Sequence, residues 1–358
     1  MRATVLYAAG DVRVETVPDP QLRHPTDALV RVTHSCVCGS DLWPYRSWPA
    51  SNGAHRMGHE FIGVVQDSGA QVATVKPGDR VIAPFMYSDN TCPHCARGVH
   101  TSCVNGGNYG TVQQDGAVVD GGQGEYVRVP QADGTLVAVP GSLDGDGFDK
   151  LSPALLALSD VMGTGHHAAL GAGVAPGSTV AVVGDGAVGL CGVLAARRLG
   201  AERVILLGRS EPRWRVAQRF GATERVTERG AQQAAAAARE LTGGLGADGV
   251  LECVGTREAF DTAITAARPG ARVGFVGVPQ DLTDGYAPLP IRPMFSRNVA
   301  LHGGVAPVRA YLPALLGDVL SGDLDPSPVF DLELPLEAAP EAYRAMNDRT
   351  AIKVLLRP

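Results

Sequence analysis

Positive charge is scarce in this 358-residue chain: 31 Lys and Arg stand against 37 Asp and Glu, a formal net charge of −6. Such a balance provides no basic field to neutralise a phosphate backbone, which excludes nucleic acid as an expected partner. Long apolar runs are missing as well. The longest uncharged stretch, Val161 to Gly184, carries His166, His167, Pro176 and six glycines, too much polar backbone for a bilayer span. Asp11 and Glu15 come before any apolar core of signal length, so the expectation is a cytoplasmic protein with no membrane attachment. Cysteine is sparse and odd in number, seven in all, which argues against a disulfide framework and for metal or reactive-thiol use. No internal repeat is evident. The surplus is glycine, 45 residues without a G-X-Y period, which calls for many turns and close backbone approaches.

The length is that of two domains. Up to about residue 140 short alternating segments follow one another, TVLYA, VRVET, ALVRVTHSC, FIGVVQDSG, DRVIAPF and EYVRVP, the pattern of an antiparallel β region. From Leu151 the rhythm becomes helix and buried strand in alternation. LSPALLALSDVM reads as helix, TVAVVG as strand, VGLCGVLAARRLG as helix and RVILLG as the next strand. Further on, GVLECVG and RVGFVG are strands with the helix EAFDTAITAARPG between them. This order predicts an α/β doubly wound parallel sheet. GAQQAAAAARELTGG is predicted as a surface helix, and the terminal AIKVLLRP as a strand.

Directly after TVAVV stand Gly184, Gly186 and Gly189, with Ala187 and Val188 opening a helix. A strand before and a helix after give this GxGxxG the context of a dinucleotide loop, with the pyrophosphate on the helix N-terminus. An NAD site places Asp or Glu at the end of the following strand to accept from the ribose 2′-hydroxyl. Gly208 stands there, followed by Arg209, Ser210 and, within the next turn, Arg213. The absent carboxylate and these donors favour NADP(H) over NAD(H). Two alternatives remain open: Arg209 as a solvated loop residue stacked on adenine, and Glu211 partly cancelling the positive field.

The motifs CGSD, GHEFIGVV, KPGDRVIAPF, a cysteine lobe and GDGAVG occur in this order along essentially the whole chain. The sequence resembles the zinc-dependent medium-chain alcohol dehydrogenases in that combination. FGAT, LTGG and ECVG look most like the formaldehyde-dehydrogenase-like and threonine-dehydrogenase-like branches. The resemblance implies a GroES-like catalytic domain over 1–161 and 305–358 and a Rossmann domain over 162–304. It implies a catalytic zinc held by Cys38, His59 and Asp160, with Glu60 as an exchangeable fourth ligand and Asp41 orienting the histidine. The three protein ligands leave an open position for substrate oxygen or water. Ser40 matches the proton-relay hydroxyl, and Trp43 stands where many relatives continue the relay with histidine. Trp43, Tyr45 and Trp48 are expected to wall a pocket or to pack. Thr164 and the backbone of Val276, Gly277 and Val278 match the nicotinamide neighbours.

The same resemblance implies a second, structural zinc. Cys92, Cys95 and Cys103 keep the spacing of three of its four cysteines, and Asp89 takes the first position, with His100 as the alternative. Two zinc ions per chain are expected, as are an alcohol or aldehyde substrate and a homodimer or homotetramer. Cys36, Cys191 and Cys253 read as packing residues. Two rival functions stand beside this one: a zinc-free quinone or enone reductase, which should lack GHE and the cysteine lobe, and a non-catalytic, crystallin-like NADP-binding protein, which would need no coherent open zinc site.

Overall fold

Alternation in ALVRVTHSC produces the strand Ala28–Cys36, because Ala28, Val30 and Val32 all turn to one face and bury there. They pack on Phe61, Val65, Val81, Val127 and Val129 in one core. This computed structural model describes residues 1–113, 115–141, 143, 145–279 and 289–358. Ala28–Cys36 pairs antiparallel with Phe61–Ser68 and with Tyr126–Val129. Phe61–Ser68 continues antiparallel to Arg80–Ala83, and that strand to Val137–Ala138. Arg2–Ala8, Asp11–Thr16 and His55–Arg56 form a separate sheet.

The C-terminal strand Val354–Arg357 joins the larger sheet, antiparallel to Ala28–Cys36 and parallel to Leu332–Pro335, with Leu355 opposite Cys36. Val354 and Leu356 bury with Leu6, Val37, Met57 and Tyr343 in a second core. Residues 1–160 and 307–358 thereby make one unit, and residues 161–306 another.

The second unit is a six-stranded, all-parallel sheet in the order Glu224–Val226, Arg203–Leu207, Thr179–Val183, Ala247–Glu252, Ala267–Phe275, Ala300–Gly303. The middles of its three central strands are apolar because both faces are covered: Val180, Ala181, Val182, Ile205, Leu206, Val250 and Leu251 are all fully buried. Thr179–Val183 has its sequence successor Arg203–Leu207 on one side and the later Ala247–Glu252 on the other. That is the switch point at which α/β sheets open a crevice beyond the strand ends. The alanine-rich helix Ala231–Glu240 buries Ala234, Ala235 and Ala238 and leaves its glutamines exposed.

One expected element is divided. In place of a single helix through LSPALLALSDVM, Gly145–Ala157 ends and Val161–Gly171 begins, with a turn at 158–160 between them. Ser159 donates from Oγ to the Leu156 carbonyl at 2.6 Å, and its N–H reaches the same oxygen at 3.0 Å. This local bonding competes with helix continuation, and it leaves Asp160 in a turn. Among the described residues no helix is long and apolar enough to cross a membrane.

Candidate metal centres and nucleotide loop

Three separate segments converge on the first centre. Cys38 lies just past the end of Ala28–Cys36, in a turn closed when its N–H donates to Asp41 Oδ2 at 2.9 Å. His59 and Glu60 precede Phe61–Ser68, after Gly58 at φ +93°, where a Cβ would lie 2.5 Å from Gln123 Cγ. Asp160 arrives from the turn described above. One ligand atom from each of Cys38, His59, Glu60 and Asp160 lies within 4.8 Å of the others. Asp160 Oδ2 is 3.6 Å from Cys38 Sγ and 3.7 Å from His59 Nε2. Tetrahedral zinc with ordinary bond lengths separates sulfur from oxygen by about 3.6 Å and nitrogen from oxygen by about 3.4 Å. The donor set therefore fits zinc in both chemistry and size.

The electrostatics agree. Burial raises the Cys38 thiol, and the Glu60 and Asp160 carboxylates push it further. Burial also raises Glu60, against the opposing pull of Lys353. Burial alone would lower His59, but the negative charges of Asp41 and Cys38 hold its pKa well above the ordinary value. The cluster is short of positive charge, which a divalent cation would supply. Glu60 is fully buried, and its Oε2 has no hydrogen-bond partner among the described residues.

The histidine is oriented as a ligand requires. Nδ1 lies 3.3 Å from Asp41 Oδ1, while Nε2 faces Asp160 and lies 3.4 Å from Ser40 Oγ. Asp41 is itself fixed by Gln123 Nε2 at 3.1 Å, and Gln123 Oε1 accepts from the buried Tyr343 hydroxyl at 3.0 Å. Neither Gln123 nor Tyr343 is conspicuous in the sequence. Lys353 was also missed: its Nζ, 1% exposed, donates to Glu60 Oε1 at 2.7 Å and to the Val37 carbonyl at 3.3 Å. A lone lysine inside AIKVLLRP was the available signal. Of the three nearby aromatics, two are packing residues: Tyr45 lies against Tyr343 at 5.3 Å and Trp48 stacks on His55 at 4.8 Å. Trp43 sits under the Arg46 guanidinium at 5.8 Å.

The second group is local. Asp89, Cys92, Cys95 and Cys103 also place one ligand atom each within 4.8 Å of the others. Cys92 and Cys103 Sγ are 3.9 Å apart, against about 3.8 Å across a tetrahedral zinc. Asp89 Oδ1 accepts from the N–H groups of Thr91 and Cys92, and Oδ2 accepts from Asn105 Nδ2 at 2.7 Å. Burial works against its ionisation, but these donors hold it well below the usual carboxylate range. His100 is engaged elsewhere, with Nε2 at 2.7 Å from Asn90 Oδ1, and takes no part in the group.

In the second unit, Gly184 has φ +111° and room for no Cβ, since Val254 Cγ2 would be 2.6 Å away. A Cβ on Gly189 would strike the Gly184 carbonyl oxygen at 2.0 Å. Gly186 differs: its φ is −77°, and a Cβ there would meet nothing within 4 Å. The protein gives no internal reason for glycine at 186, whereas a pyrophosphate approaching the N-terminus of Ala187–Arg198 does. Ala187 and Val188 form the first turn of that helix, which has no side-chain cap.

At the end of Arg203–Leu207, Arg209 is exposed and Arg213 is buried, its Nη1 3.7 Å from Asp185 Oδ1. Glu211 is paired with Arg225 Nη1 at 2.7 Å. Val276 and Gly277 donate their N–H groups to the Glu252 carbonyl, while the buried Glu252 side chain accepts from Val254 and Gly255. Thr164 lies buried in Val161–Gly171.

Residues 24–141 match the alcohol dehydrogenase GroES-like domain and residues 187–318 the zinc-binding dehydrogenase family. The chain belongs to the zinc-containing medium-chain alcohol dehydrogenases. It is 35% identical over 360 residues to the probable zinc-binding alcohol dehydrogenase Rv1895 of Mycobacterium tuberculosis, covering all of this chain and 89% of that one. Identity with the formaldehyde dismutase of Pseudomonas putida is 28%, covering 100% of this chain and 97% of the other. The alcohol dehydrogenase TADH from Thermus sp. ATN1 superposes with a TM-score of 0.87 at 33% identity, covering 100% of this chain and 99% of that one.

Proposed function

We propose that this zinc-type alcohol dehydrogenase transfers a hydride between NADP(H), in preference to NAD(H), and an alcohol and its aldehyde or ketone. The observation that carries the reading is the convergence of Cys38, His59, Glu60 and Asp160 at zinc-like separations. Cys38, His59 and Asp160 are assigned as catalytic-zinc ligands, with Glu60 as the exchangeable one. Asp89, Cys92, Cys95 and Cys103 are assigned to a structural zinc. When bound, the metal acidifies an alcohol oxygen and the nicotinamide exchanges the hydride.

The chain's own part is positional. Asp41 Oδ1 accepts a hydrogen bond from His59 Nδ1–H and so leaves the Nε2 lone pair for coordination. Ser40 Oγ is assigned the substrate's hydroxyl proton. Trp43 follows in place of a relay histidine, and an indole N–H donates but does not accept. Ser40 would therefore hand the proton on through the cofactor ribose and water, or to a group other than Trp43. Thr164 and the backbone at Val276, Gly277 and Val278 are assigned to the nicotinamide end of the cofactor, and the loop Gly184–Gly189 to its pyrophosphate.

For the adenosine end, the distribution of charge supports the NADP(H) reading. Asp185 faces Arg213 and Glu211 faces Arg225, while the exposed Arg209 side chain makes no ion pair among the described residues and is the cation left for a 2′-phosphate, with Ser210 as a second donor. The proposal extends to a catalytic domain of 1–161 with 305–358, a cofactor domain of 162–304, and a homodimer or homotetramer. Seven free cysteines fit a reducing, cytoplasmic setting.

The test is metal analysis of the purified protein beside an activity screen over alcohols and aldehydes with both cofactors. Two zinc ions per chain and a higher kcat/KM with NADP(H) are expected. Enone or quinone reduction that survives zinc removal would establish the zinc-free reductase instead. Tight NADPH binding with no turnover on any substrate would leave a non-catalytic binding protein.

A further inference from the structure

The middle residue of Gly184-Asp185-Gly186 is a carboxylate in a loop meant for a pyrophosphate, and the proposed function gives it no task. It is 6% exposed. Its Oδ2 accepts from two consecutive backbone N–H groups, Arg209 at 2.9 Å and Ser210 at 3.1 Å. Its Oδ1 faces Arg213 Nη1 at 3.7 Å, and the same nitrogen donates to the Asp185 carbonyl at 3.3 Å. On the opposite side, Arg225 donates from Nε to the Gly208 carbonyl at 3.0 Å and pairs with Glu211. The 208–211 turn is thus held from both sides.

Position 208 is coupled to this arrangement. A Cβ there would lie 2.6 Å from Asp185 Cβ and 2.9 Å from its Oδ2. The two positions share one volume, so a side chain at the strand end and the Asp185 carboxylate exclude each other. The acid that an NAD site carries at 208 has in effect been replaced by one at 185. Its charge is consumed by two N–H groups and a guanidinium, and its oxygens are turned toward the protein.

We propose that Asp185 is a positioning residue for cofactor choice: it fixes the Gly208–Ser210 turn and keeps position 208 free of a side chain, so that Arg209 is presented to a 2′-phosphate. This rests on the NADP reading above. The competing role for the same carboxylate is direct acceptance of the ribose hydroxyls, which would repel a 2′-phosphate. The two roles predict opposite signs.

The experiment titrates the full-length, zinc-loaded protein with 2′,5′-ADP and with 5′-ADP, so that no turnover is read. Wild type is expected to prefer 2′,5′-ADP, and Arg209→Ala to reduce that preference at least tenfold. Asp185→Ala should reduce it at least fivefold through 2′,5′-ADP alone, with 5′-ADP affinity within about twofold. Asp185→Asn, whose amide oxygen can accept the same two N–H groups, should keep most of it. A rise in 2′,5′-ADP affinity in both Asp185 variants, or an unchanged preference in Asp185→Ala, overturns the proposal.

A second pair of readouts needs no nucleotide. Hydrogen exchange at the Arg209 and Ser210 amides should accelerate at least tenfold in Asp185→Ala, and Gly208→Ala should lower Tm in wild type but much less in an Asp185→Gly background, which also removes the Cβ that would lie 2.6 Å from the new methyl. Unchanged exchange would overturn the positioning role. A wild-type protein that prefers 5′-ADP while these two readouts behave as expected would overturn the NADP reading and the link to cofactor choice, and leave the turn-holding role established.

Discussion

The two ligand clusters have equal numbers of candidate ligands and opposite constructions. Asp89, Cys92, Cys95 and Cys103 come from one short stretch, and their supporting bonds run to Thr91 and Asn105, close by in sequence. Cys38, His59, Glu60 and Asp160 come from three segments and depend on Gln123, Tyr343 and Lys353 from far along the chain. A local cluster closes at small entropic cost and stands or falls by itself. A dispersed one is only as good as the core that carries it. That core supplies what an open, reactive site needs: a buried spare carboxylate, a histidine held by one face, and a net shortage of positive charge.

The largest effect separating the two is expected at Lys353. Lys353→Met removes the cation facing a fully buried Glu60. Breaking one side of a buried pair costs about 3–5 kcal/mol. Denaturant unfolding should record that loss, together with weaker retention of the first zinc and unchanged retention of the second. A loss under about 1 kcal/mol would mean that Glu60 is satisfied by the metal without its lysine.

Acid provides the next test, through a residue belonging to neither cluster. His34 lies 1% exposed in the strand that leads to Cys38, and burial, aided by Arg357, lowers its pKa to about 4. Unfolding returns it to about 6.5, so the unfolded chain takes up a proton that the fold refuses. The stabilising contribution is complete above pH ~6.5 and is lost as pH falls toward 4, by up to ~3 kcal/mol. Stability of the zinc-loaded protein should follow that slope, and His34→Gln should flatten it. An identical slope in the variant would assign the acid lability to the metal ligands themselves.

Asp160→Asn should come third. It retains size but removes a ligand charge, so catalytic zinc should bind more weakly and turnover fall at least tenfold, about 1.4 kcal/mol of barrier. NADPH affinity should stay near normal. Full zinc occupancy with wild-type turnover would return the third ligand position to Glu60.

What was legible in the sequence follows the same division. The parallel sheet could be read because both faces of its strands are buried, leaving unbroken apolar runs such as TVAVV and RVILL. The cysteine lobe could be matched to the family's structural zinc because its ligands keep one local spacing. Cys38, His59 and Asp160 have no informative spacing, and only the likeness to a family singled them out. The break at Ser159 was lost inside an apolar helical pattern, and Gln123, Tyr343, Lys353 and Asp185 act through contacts made after folding. A pattern along the chain does not encode them, although a charge inside an apolar strand or a glycine loop was a visible irregularity.

The smallest effect belongs to Asp89, and it bears most directly on whether the clusters are independent. Asp89→Asn keeps an oxygen able to accept from Thr91 and Cys92, so the turn should survive. It removes the carboxylate charge from a group that still has three thiols, the stronger zinc donors. Zinc in the lobe should weaken roughly fivefold, about 1 kcal/mol, measured by competition with a chromogenic chelator. The unmodified carboxylate also sets a pH dependence. Because its pKa is held down in the fold, its contribution is present above the ordinary carboxylate value near 4 and is lost as pH falls through the lower folded value; the variant should lack that loss. Turnover at 25 °C should change far less than in Asp160→Asn. If turnover instead falls as far, the lobe is coupled to the chemistry and the clusters are one system. If zinc retention does not change at all, Asp89 only caps the turn and the lobe metal is held by Cys92, Cys95 and Cys103 alone.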